Sequence, residues 1–429
     1  MRILFYATSP NQTIGYSKIA NKISNFLASY DNIEFYYIAT GNFLETLCKD
    51  RYINPRIKFI DVISEENKRG IEETDYGVSL IKDIMSELKP DIFLVYNDII
   101  VVCRLFNELI TYYERYKSVT KFIVYIDLVY PNEKFEFIEH MDKYTDLIYV
   151  FSEYWKQNLI TNRVPSSKIK ILSHGISSEM FTSIPQSEAR KMLNLDKDDF
   201  IVLNTNRNCY RKGIDITLRS FIKFFKDENK NKKIKLFLNM YLNTNSGYDI
   251  ISQLKTECIR YDMDYEDIKY QILTPGINES GRISDQLLNV IYNATDIGIN
   301  TCFGEGFGLC NFEHAYLQKP QIISAVGGLN DIFSNDFSIL IKPKAVMTVP
   351  NLLDGHNGDL HICEASDFTE AMKFYYHNPQ IKIEHGVKSR QHIEAHYRWD
   401  IILGQFSIQL NEFYKRDNKN MRYYTTKYT

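Results

Sequence analysis

The chain has 429 residues, of which 44% are hydrophobic, and its formal net charge is −3. This length is too great for one ordinary hydrophobic core and predicts two domains of roughly 200 residues each. The near balance of 51 basic and 54 acidic residues gives no global attraction to nucleic acid or to an anionic membrane, so no nucleic-acid partner is expected. Composition indicates no particular oligomeric state.

The cysteines and the apolar segments bear on the compartment. Seven cysteines are scattered along the chain without a CxxC pair, so neither a disulfide framework nor a zinc site is indicated. The apolar run from Ile3 to Ala7 is too short for the core of a signal peptide. The longer apolar region at 92–106 contains Asp98 and Arg104, which are costly in lipid. We expect a cytoplasmic protein without a transmembrane span.

Short runs of β-branched and aromatic residues predict strands throughout the chain. In the first half they lie at 2–7, 33–39, 57–62, 91–96, 121–126 and 146–151, mostly separated by segments of helix length. The rhythm restarts in the second half at 200–205, 234–239, 270–275, 296–301, 321–325 and 337–341. This alternation is typical of parallel sheets and predicts an α/β protein with two Rossmann-like, doubly wound domains.

A polar stretch without a predicted strand, from Ser177 to Asp199, marks the boundary between the halves. We therefore divide the chain into domains at 1–180 and 181–400, followed by an amphipathic helix at 401–416 and a basic tail at 417–429. Ligands of doubly wound sheets bind at the carboxyl ends of the strands. Two such domains facing each other would form a ligand cleft between them.

The segment GEGFGLCNFEHAY, residues 304–316, follows one of the predicted strands and leads into a helical pattern. Loop glycines let backbone amides approach an oxyanion, and the start of a helix adds unpaired N–H groups. Glu305 lies in the loop and Glu313 about two turns into the helix, so they would reach different parts of one ligand. The alternative is a glycine-rich turn with two solvated glutamates.

The glycine spacing does not fit a dinucleotide-binding fingerprint. Glycines at 304, 306 and 308 place the third one residue too early for GxGxxG. The loop after the first strand contains one glycine, Gly15. A nicotinamide-dependent oxidoreductase is therefore poorly supported.

A basic loop, NTNRNCYRKGIDI at 204–216, follows the first strand of the second domain. Arg207, Arg211 and Lys212 lie there, at the sheet edge that also carries the glycine loop. Arginine gives a forked contact to phosphate and lysine a mobile point charge, so the loop is suited to neutralising a diphosphate. Alone, three basic loop residues are more often part of the solvated surface than of a ligand site.

Taken together, these segments resemble the donor site of retaining glycosyltransferases of family 4, which have the GT-B fold. The resemblance is carried by Glu305 and Glu313 with seven residues between them, by Arg207 and Lys212, and by SHGISSEMF (173–181), GGLND (327–331) and HYRWD (396–400). It extends over nearly the whole chain, with the strong motifs in the second half.

The resemblance implies a role for each matching residue. Glu313 would bind the donor ribose, Glu305 the transferred sugar, and Arg207 with Lys212 the diphosphate. The pocket for sugar and phosphate would be lined by the backbone amides of Gly306, Phe307, Gly308 and Leu309. The acceptor would be contacted by the loop after the first strand, at Gly15 and Tyr16. In relatives the last helix crosses back to the first domain.

Two further residues are candidates for the site. Asp127 follows a predicted strand on the cleft side, where it could position or deprotonate an acceptor hydroxyl or simply cap a turn. His174 lies at the predicted domain junction, where it could bind near the donor sugar or phosphate, or serve as a hinge residue.

Other chemistries are less consistent with these residues. In a glycosidase, two carboxylates flank the bond that is cleaved, and Glu305 and Glu313 could be mistaken for such a pair. A carboxylate in that position would repel a departing diphosphate, so we do not interpret the two glutamates in this way. Two DxD strings, at 196–198 and 262–264, lie in polar contexts away from the predicted strand ends, so we expect no obligatory metal.

The sequence thus predicts a retaining, metal-independent glycosyltransferase without a cofactor. It would move a sugar from a UDP- or GDP-linked donor to a hydroxyl of a glycan, a lipid or a protein-linked sugar. The alternative is a non-catalytic nucleotide-sugar-binding protein of the same fold. At most, the basic tail would make a peripheral membrane contact.

Overall fold

The structure is a computed structural model that describes residues 1–71, 76–274, 283–350 and 355–417. It contains two parallel sheets with helices packed on their faces, as the sequence predicts. Nearly all of the basic tail predicted at 417–429 lies outside the described residues.

The first sheet is formed by seven parallel strands in the order β3-β2-β1-β4-β5-β6-β7. These are β1 (Arg2–Thr8), β2 (Glu34–Thr40), β3 (Lys58–Asp61), β4 (Ile92–Asp98), β5 (Lys121–Asp127), β6 (Leu147–Val150) and β7 (Ile169–Ile171). The accompanying helices are α1 (Gly15–Ala28), α2 (Val62–Lys68), α3 (Ile81–Leu88), α4 (Ile99–Tyr116), α5 (Phe135–Lys143) and α6 (Glu153–Thr161).

The second sheet has six parallel strands in the order β10-β9-β8-β11-β12-β13. In chain order this region contains α7 (Gln186–Met192), β8 (Phe200–Asn204), α8 (Ile214–Asp227), β9 (Ile234–Leu238), α9 (Ile250–Arg260), α10 (Tyr265–Ile268), β10 (Ile272–Leu273), α11 (Asp285–Ala294), β11 (Ile297–Asn300), α12 (Leu309–Tyr316), β12 (Gln321–Ser324), α13 (Leu329–Ile332) and β13 (Ile339–Ile341). An antiparallel hairpin and three helices follow: β14 (Ala345–Thr348), β15 (Asp359–Ile362), α14 (Ala365–His377), α15 (Pro379–His396) and α16 (Trp399–Asp417).

The central strands are continuous apolar runs because helices cover both faces of each sheet. In β1, the residues from Ile3 to Ala7 are all buried, and Phe5 is in register with Tyr37 of β2 and Leu94 of β4. The strand order reverses direction between β1 and β4 in the first sheet and between β8 and β11 in the second. Loops at the carboxyl ends of these strands are where ligands of doubly wound sheets bind.

The chain passes between the two sheets at two adjacent points. The amide of Ile176 donates to the carbonyl of Tyr397 over 2.7 Å, beside a parallel bridge between Ile176 and Arg398. A Cβ at Gly175 would lie 2.7 Å from the ring of Trp399, so glycine permits this close approach. The two crossing segments therefore run side by side.

Helix α16 returns the end of the described chain to the first sheet. Its Phe406 is buried and meets the ring of Tyr149 in β6 edge-on, with the ring centroids 5.2 Å apart. Tyr30, which follows α1, donates a hydrogen bond to Ser407 over 3.3 Å. The C-terminal helix thus belongs to the hydrophobic core around the first sheet.

We predict that Phe406→Ala lowers the free energy of unfolding by about 3–5 kcal/mol, because it leaves a cavity under α16. Ile408 on the same helix is 55% exposed, so Ile408→Ala should change it by less than about 0.5 kcal/mol. Urea denaturation measures both values. Equal effects of the two substitutions would contradict this packing of α16.

Candidate functional site

The glycine loop between β11 and α12, residues 301–308, is pressed between the two domains. A Cβ at Gly306 would lie 2.3 Å from Oδ1 of Asp127, and one at Gly328 would lie 2.0 Å from the carbonyl oxygen of Gly306. Gly308 has a φ of 84° and caps α12, a backbone conformation that favours glycine. Glycine is therefore required at Gly306 by a contact across the domain interface, at Gly328 by a contact within the second domain, and at Gly308 by the backbone conformation.

Other predicted residues around the loop also lie at this interface. The indole N–H of Trp155 in α6 donates to the carbonyl of Gly306 over 2.8 Å. Phe307 is buried. Leu309 begins α12 and faces Gly15, where a Cβ would lie 3.0 Å from Cδ1 of Leu309. The structure thus brings the glycine loop and the N-terminal loop together.

Glu305 is buried at the centre of the loop between two cations. Nζ of Lys212 forms an ion pair with Oε2 of Glu305, and Nη1 of Arg211 lies 3.6 Å from Oε1. Burial alone would raise the pKa of Glu305, but the charges of Lys212 and Arg211 hold it below its ordinary value. Glu305 is therefore ionised, and the three side chains carry a net charge of +1.

A tight turn places these two cations on the glycine loop. Residues Tyr210–Lys212 form a single 3-10 turn, and Gly213 with a φ of 55° begins α8 directly over the carbonyl of Thr301. Nη1 of Arg211 also donates to the carbonyl of Gly304 over 2.6 Å. Arg207, for which the resemblance implies a phosphate contact, lies earlier in the loop with an exposed side chain and no ion pair among the described residues.

Glu313 in α12 is buried against the first domain. Its Oε1 accepts from Nζ of Lys18 in α1 over 2.7 Å, and its Oε2 accepts from the hydroxyl of Tyr292 over 3.1 Å. Burial raises the pKa of Glu313, and the charge of Lys18 opposes that rise. Lys18 therefore neutralises the glutamate that the resemblance assigns to the ribose.

A second acid of the C-terminal half extends this interdomain cluster. Asp285 at the start of α11 accepts from Nε of Arg51 over 3.0 Å and from its Nη2 over 3.2 Å, and lies 3.7 Å from Nζ of Lys18. A cavity of about 460 Å³ opens beside the cluster, lined in part by Lys22, Ser177 and these three residues.

Asp127 ends β5 on the opposite side of the glycine loop. Its Oδ2 accepts from the hydroxyl of Tyr16 over 2.6 Å, while its Oδ1 faces Gly306 without a hydrogen-bond partner in the described structure. Burial raises the pKa of Asp127 to about 6, and the hydrogen bond from Tyr16 opposes the rise. This carboxyl group therefore changes charge close to neutral pH.

His174 lies in an aromatic cage next to the glycine loop. Its ring centroid is 4.3 Å from that of Phe151 and 4.5 Å from that of Phe307, and neither ring nitrogen has a hydrogen-bond partner within the described ranges. Burial lowers the pKa of His174 to about 3, so the ring is neutral. It immediately precedes the crossing at Gly175 and Ile176.

The acidic residues outside this cluster have structural roles. Oδ2 of Asp331 accepts from the amide of Tyr154 in α6 over 2.6 Å. In the DxD strings, Asp198 pairs with Lys233 over 3.2 Å and Asp264 accepts from the amide of Glu266 at the start of α10. No three His, Cys, Asp or Glu side chains among the described residues are grouped so as to hold a metal ion.

Sequence reasoning did not identify Lys18, Tyr292 or Trp155. It named Arg211 in the basic loop but gave it no individual role, and the role predicted for Arg207 stays a prediction. Lys18 lies in the segment TIGYSK, in the first turn of α1. Nothing in the sequence distinguishes this lysine from other surface lysines. Its pairing with Glu313 joins positions 295 residues apart. Arg211 lies next to Lys212 in the basic loop that the sequence already indicates as suited to a diphosphate.

The chain was compared in sequence with protein families and with known proteins. No protein-family model matches the chain. It is 26% identical over 191 residues to an uncharacterized glycosyltransferase of Methanocaldococcus jannaschii, covering 42% of each protein. It is 21% identical over 256 residues to a lipopolysaccharide 1,2-N-acetylglucosaminetransferase of Salmonella typhimurium, covering 59% of each. A trehalose synthase of Pyrococcus horikoshii is 25% identical over 67% of this chain. The matches span 42% to 62% of these relatives' lengths.

Solved structures match over almost the whole chain. Sucrose-phosphate synthase of Thermosynechococcus elongatus superposes with a TM-score of 0.69 at 15% identity, over 96% of this chain and 99% of its own. HepE of Anabaena, solved with UDP and glucose, superposes with a TM-score of 0.68 at 12% identity, over 96% and 100%. The chain has the GT-B fold. Fold and sequence likeness together support a glycosyltransferase.

No helix in the described part of the chain is both long enough and apolar enough to cross a membrane.

We predict that Lys18→Met destabilises the protein by about 3 kcal/mol, since it leaves the carboxylate of Glu313 buried without a cation. In the double variant with Glu313→Gln the cost should be smaller than the sum of the single costs, with a coupling of about 1–3 kcal/mol. Urea denaturation of the four proteins gives this value.

Lys22→Met provides the matched control on the same helix. Lys22 pairs with Glu179, whose side chain is 62% exposed, so its loss should cost less than about 1 kcal/mol. Additive effects of Lys18→Met and Glu313→Gln would show that the two residues do not interact energetically.

Proposed function

We propose that the chain is a retaining glycosyltransferase that moves a sugar from a nucleotide diphosphate-sugar donor to an acceptor hydroxyl in the interdomain cleft. The observation that carries this proposal is the buried carboxylate of Glu305, held by Lys212 and Arg211 in the glycine loop and facing the first domain at Asp127. The motif resemblance supports it, and so does the likeness to HepE, which has been solved with UDP-glucose.

The donor side supplies positive charge and hydrogen-bond donors. Breaking the bond between sugar and diphosphate places negative charge on the leaving phosphate, which the surplus cation of the Glu305 cluster offsets. Lys212 and Arg211 neutralise the phosphates, and Arg207 reaches them from the exposed part of the same loop. The amides at the start of α12 bind the same anion. Glu305 accepts from hydroxyls of the transferred sugar.

The ribose binds at Glu313. Its carboxylate accepts from Lys18 and Tyr292 in the structure. Ribose hydroxyls take the place of the Lys18 ammonium at Oε1, and Lys18 then turns toward the diphosphate. Exchange of one donor for another leaves the buried carboxylate satisfied at each stage.

The acceptor side is built on Asp127. Its ionised form accepts the acceptor hydroxyl at the unpartnered Oδ1, while Tyr16 holds Oδ2. Gly15 and Tyr16 place the start of α1 at this point, and His174 provides an adjacent polar group that is neutral near pH 7. Asp127 thus positions the hydroxyl and accepts its proton as the new bond forms.

We further propose that no metal or cofactor takes part, since protein cations supply the charge that a metal would otherwise provide at the leaving group. The donor is linked to UDP or GDP. We place the protein in the cytoplasm, with at most a peripheral membrane contact through the basic tail.

The proposal is tested by incubating the protein with UDP-glucose and with GDP-mannose and measuring the released diphosphate and sugar by mass spectrometry. Lys212→Ala should reduce kcat by about 10²–10³, because it removes one cation from the leaving group. Lys223→Ala, which removes a half-exposed surface pair with Asp227 on α8, should leave kcat unchanged. UDP or GDP should raise the melting temperature, and NAD should not.

Binding of UDP without turnover of any donor would favour the non-catalytic alternative. Tight binding of NAD in place of UDP or GDP would contradict the assignment as a whole.

The rate should depend on pH through Asp127. Its pKa of about 6 means that lowering the pH through 6 protonates the base, so kcat/KM for UDP-glucose should fall tenfold per pH unit below that value. Asp127→Asn should lower the rate and remove this acidic limb. A pH profile of Asp127→Asn with the same limb as the wild type would assign the titration to another group.

A further inference from the structure

The hairpin formed by β14 and β15 joins the two loops that carry the proposed catalytic groups. We call residues 345–350 and 355–362 the strap, and residues 128–134, which follow Asp127, the acceptor loop. The strap belongs to neither of the two large sheets. Its sequence lies between β13 and α14 of the second domain, yet it is also hydrogen-bonded to the first domain.

On one side, the strap is hydrogen-bonded to the acceptor loop at two backbone positions. The amide of Asp359 donates to the carbonyl of Pro131 over 2.8 Å, and the amide of Lys134 donates to the carbonyl of His356 over 2.9 Å. The side chain of Asn132 donates to Oδ2 of Asp359 over 2.7 Å. These contacts hold the C-terminal half of the acceptor loop, which is irregular in structure.

Glu133 connects the strap with the residues that directly follow Asp127. Its buried side chain accepts at Oε1 from the amides of Val129, over 2.9 Å, and Tyr130, over 3.3 Å. Its Oε2 lies 3.2 Å from Nδ1 of His356 in the strap. The strap thus reaches, through one carboxylate, the second residue after Asp127.

On its other side, the strap is bonded to the glycine loop. The amide of His361 donates to the carbonyl of Phe303 over 2.9 Å, and the amide of Phe303 donates to the carbonyl of Arg211 over 2.8 Å. Phe303 is two residues from Glu305. A single element therefore fixes the Glu305 loop and the Asp127 loop relative to each other.

We propose that the strap is a positioning element for the acceptor side: by holding residues 129–134 it sets the distance of Asp127 from the glycine loop. It does not touch the reacting atoms, and it acts through Pro131 and Glu133. The assignment rests on the proposed function, because Asp127 is the acceptor-side group there.

Two glycines of the strap provide a matched test. Gly358 has a φ of +94°, and a Cβ there would lie 2.8 Å from Cβ of Tyr130 and 2.9 Å from the carbonyl oxygen of Pro131. Gly355 has a φ of +78°, and a Cβ there would have its nearest neighbour at 3.7 Å, in Ile100. Alanine strains the backbone at both positions, but only Gly358→Ala displaces the strap from the acceptor loop.

With UDP-glucose as donor and water as acceptor, Gly358→Ala should lower kcat by about tenfold, as expected when a catalytic group is displaced. The dissociation constant for UDP should stay within about twofold of the wild-type value, since the added methyl at Gly358 meets Tyr130 and Pro131, whereas the strap is bonded to the glycine loop at His361. Hydrogen exchange of residues 128–134 should rise in this variant. Gly355→Ala should leave the exchange, kcat and UDP affinity unchanged.

Equal kcat and equal exchange in Gly358→Ala and Gly355→Ala would overturn the proposal, as would a parallel loss of UDP affinity. Increased exchange with an unchanged kcat would also overturn it, because the strap would then hold the loop without positioning Asp127. Failure of the wild-type protein to bind UDP or GDP would instead refute the proposed function, and the difference in exchange would still show whether the strap holds the loop.

Discussion

The close contact between Gly306 and Asp127 is the constraint on which the rest of the site depends. Because Gly306 has no side chain, the loop that carries Glu305 can lie directly against the end of β5. Trp155 secures the loop from the first domain, and the pair Gly327–Gly328 supports it from behind. Asp127 and the cluster of Glu305 and Lys212 thereby lie close to the same stretch of backbone.

The buried charges at the interface follow from that contact. A carboxylate removed from water needs a nearby cation or several hydrogen bonds, and both glutamates of the glycine loop and α12 have one. Glu305 is paired within its own domain, by Lys212 and Arg211, whereas Glu313 is paired across the interface, by Lys18. The first arrangement survives separation of the domains, and the second does not. The ion pair between Lys18 and Glu313 therefore forms only when the two domains are held together.

Most of the fold could be predicted from the sequence, whereas contacts between distant parts of the chain could not. All twelve predicted strands are present, and the central ones could be predicted because buried parallel strands are continuous apolar runs. The loop at 301–308 could be predicted because it contains three closely spaced glycines, which the structure places in close contact with other backbone and side-chain atoms. Strand β7 was missed because it has three residues, and the β14–β15 hairpin because its first strand is exposed throughout and lacks an alternating pattern. Lys18 was missed because its importance lies in a contact between distant parts of the chain.

The two adjacent crossings at Ile176 and Arg398 determine how the molecule can move. Two covalent connections set far apart would resist rotation of one domain against the other. Two connections that are hydrogen-bonded side by side act as a single hinge, at which the ring of Trp399 packs against Gly175. Any opening of the cleft would then be a rotation about this one line, with displacements that grow with distance from it and are smallest at the cage around His174.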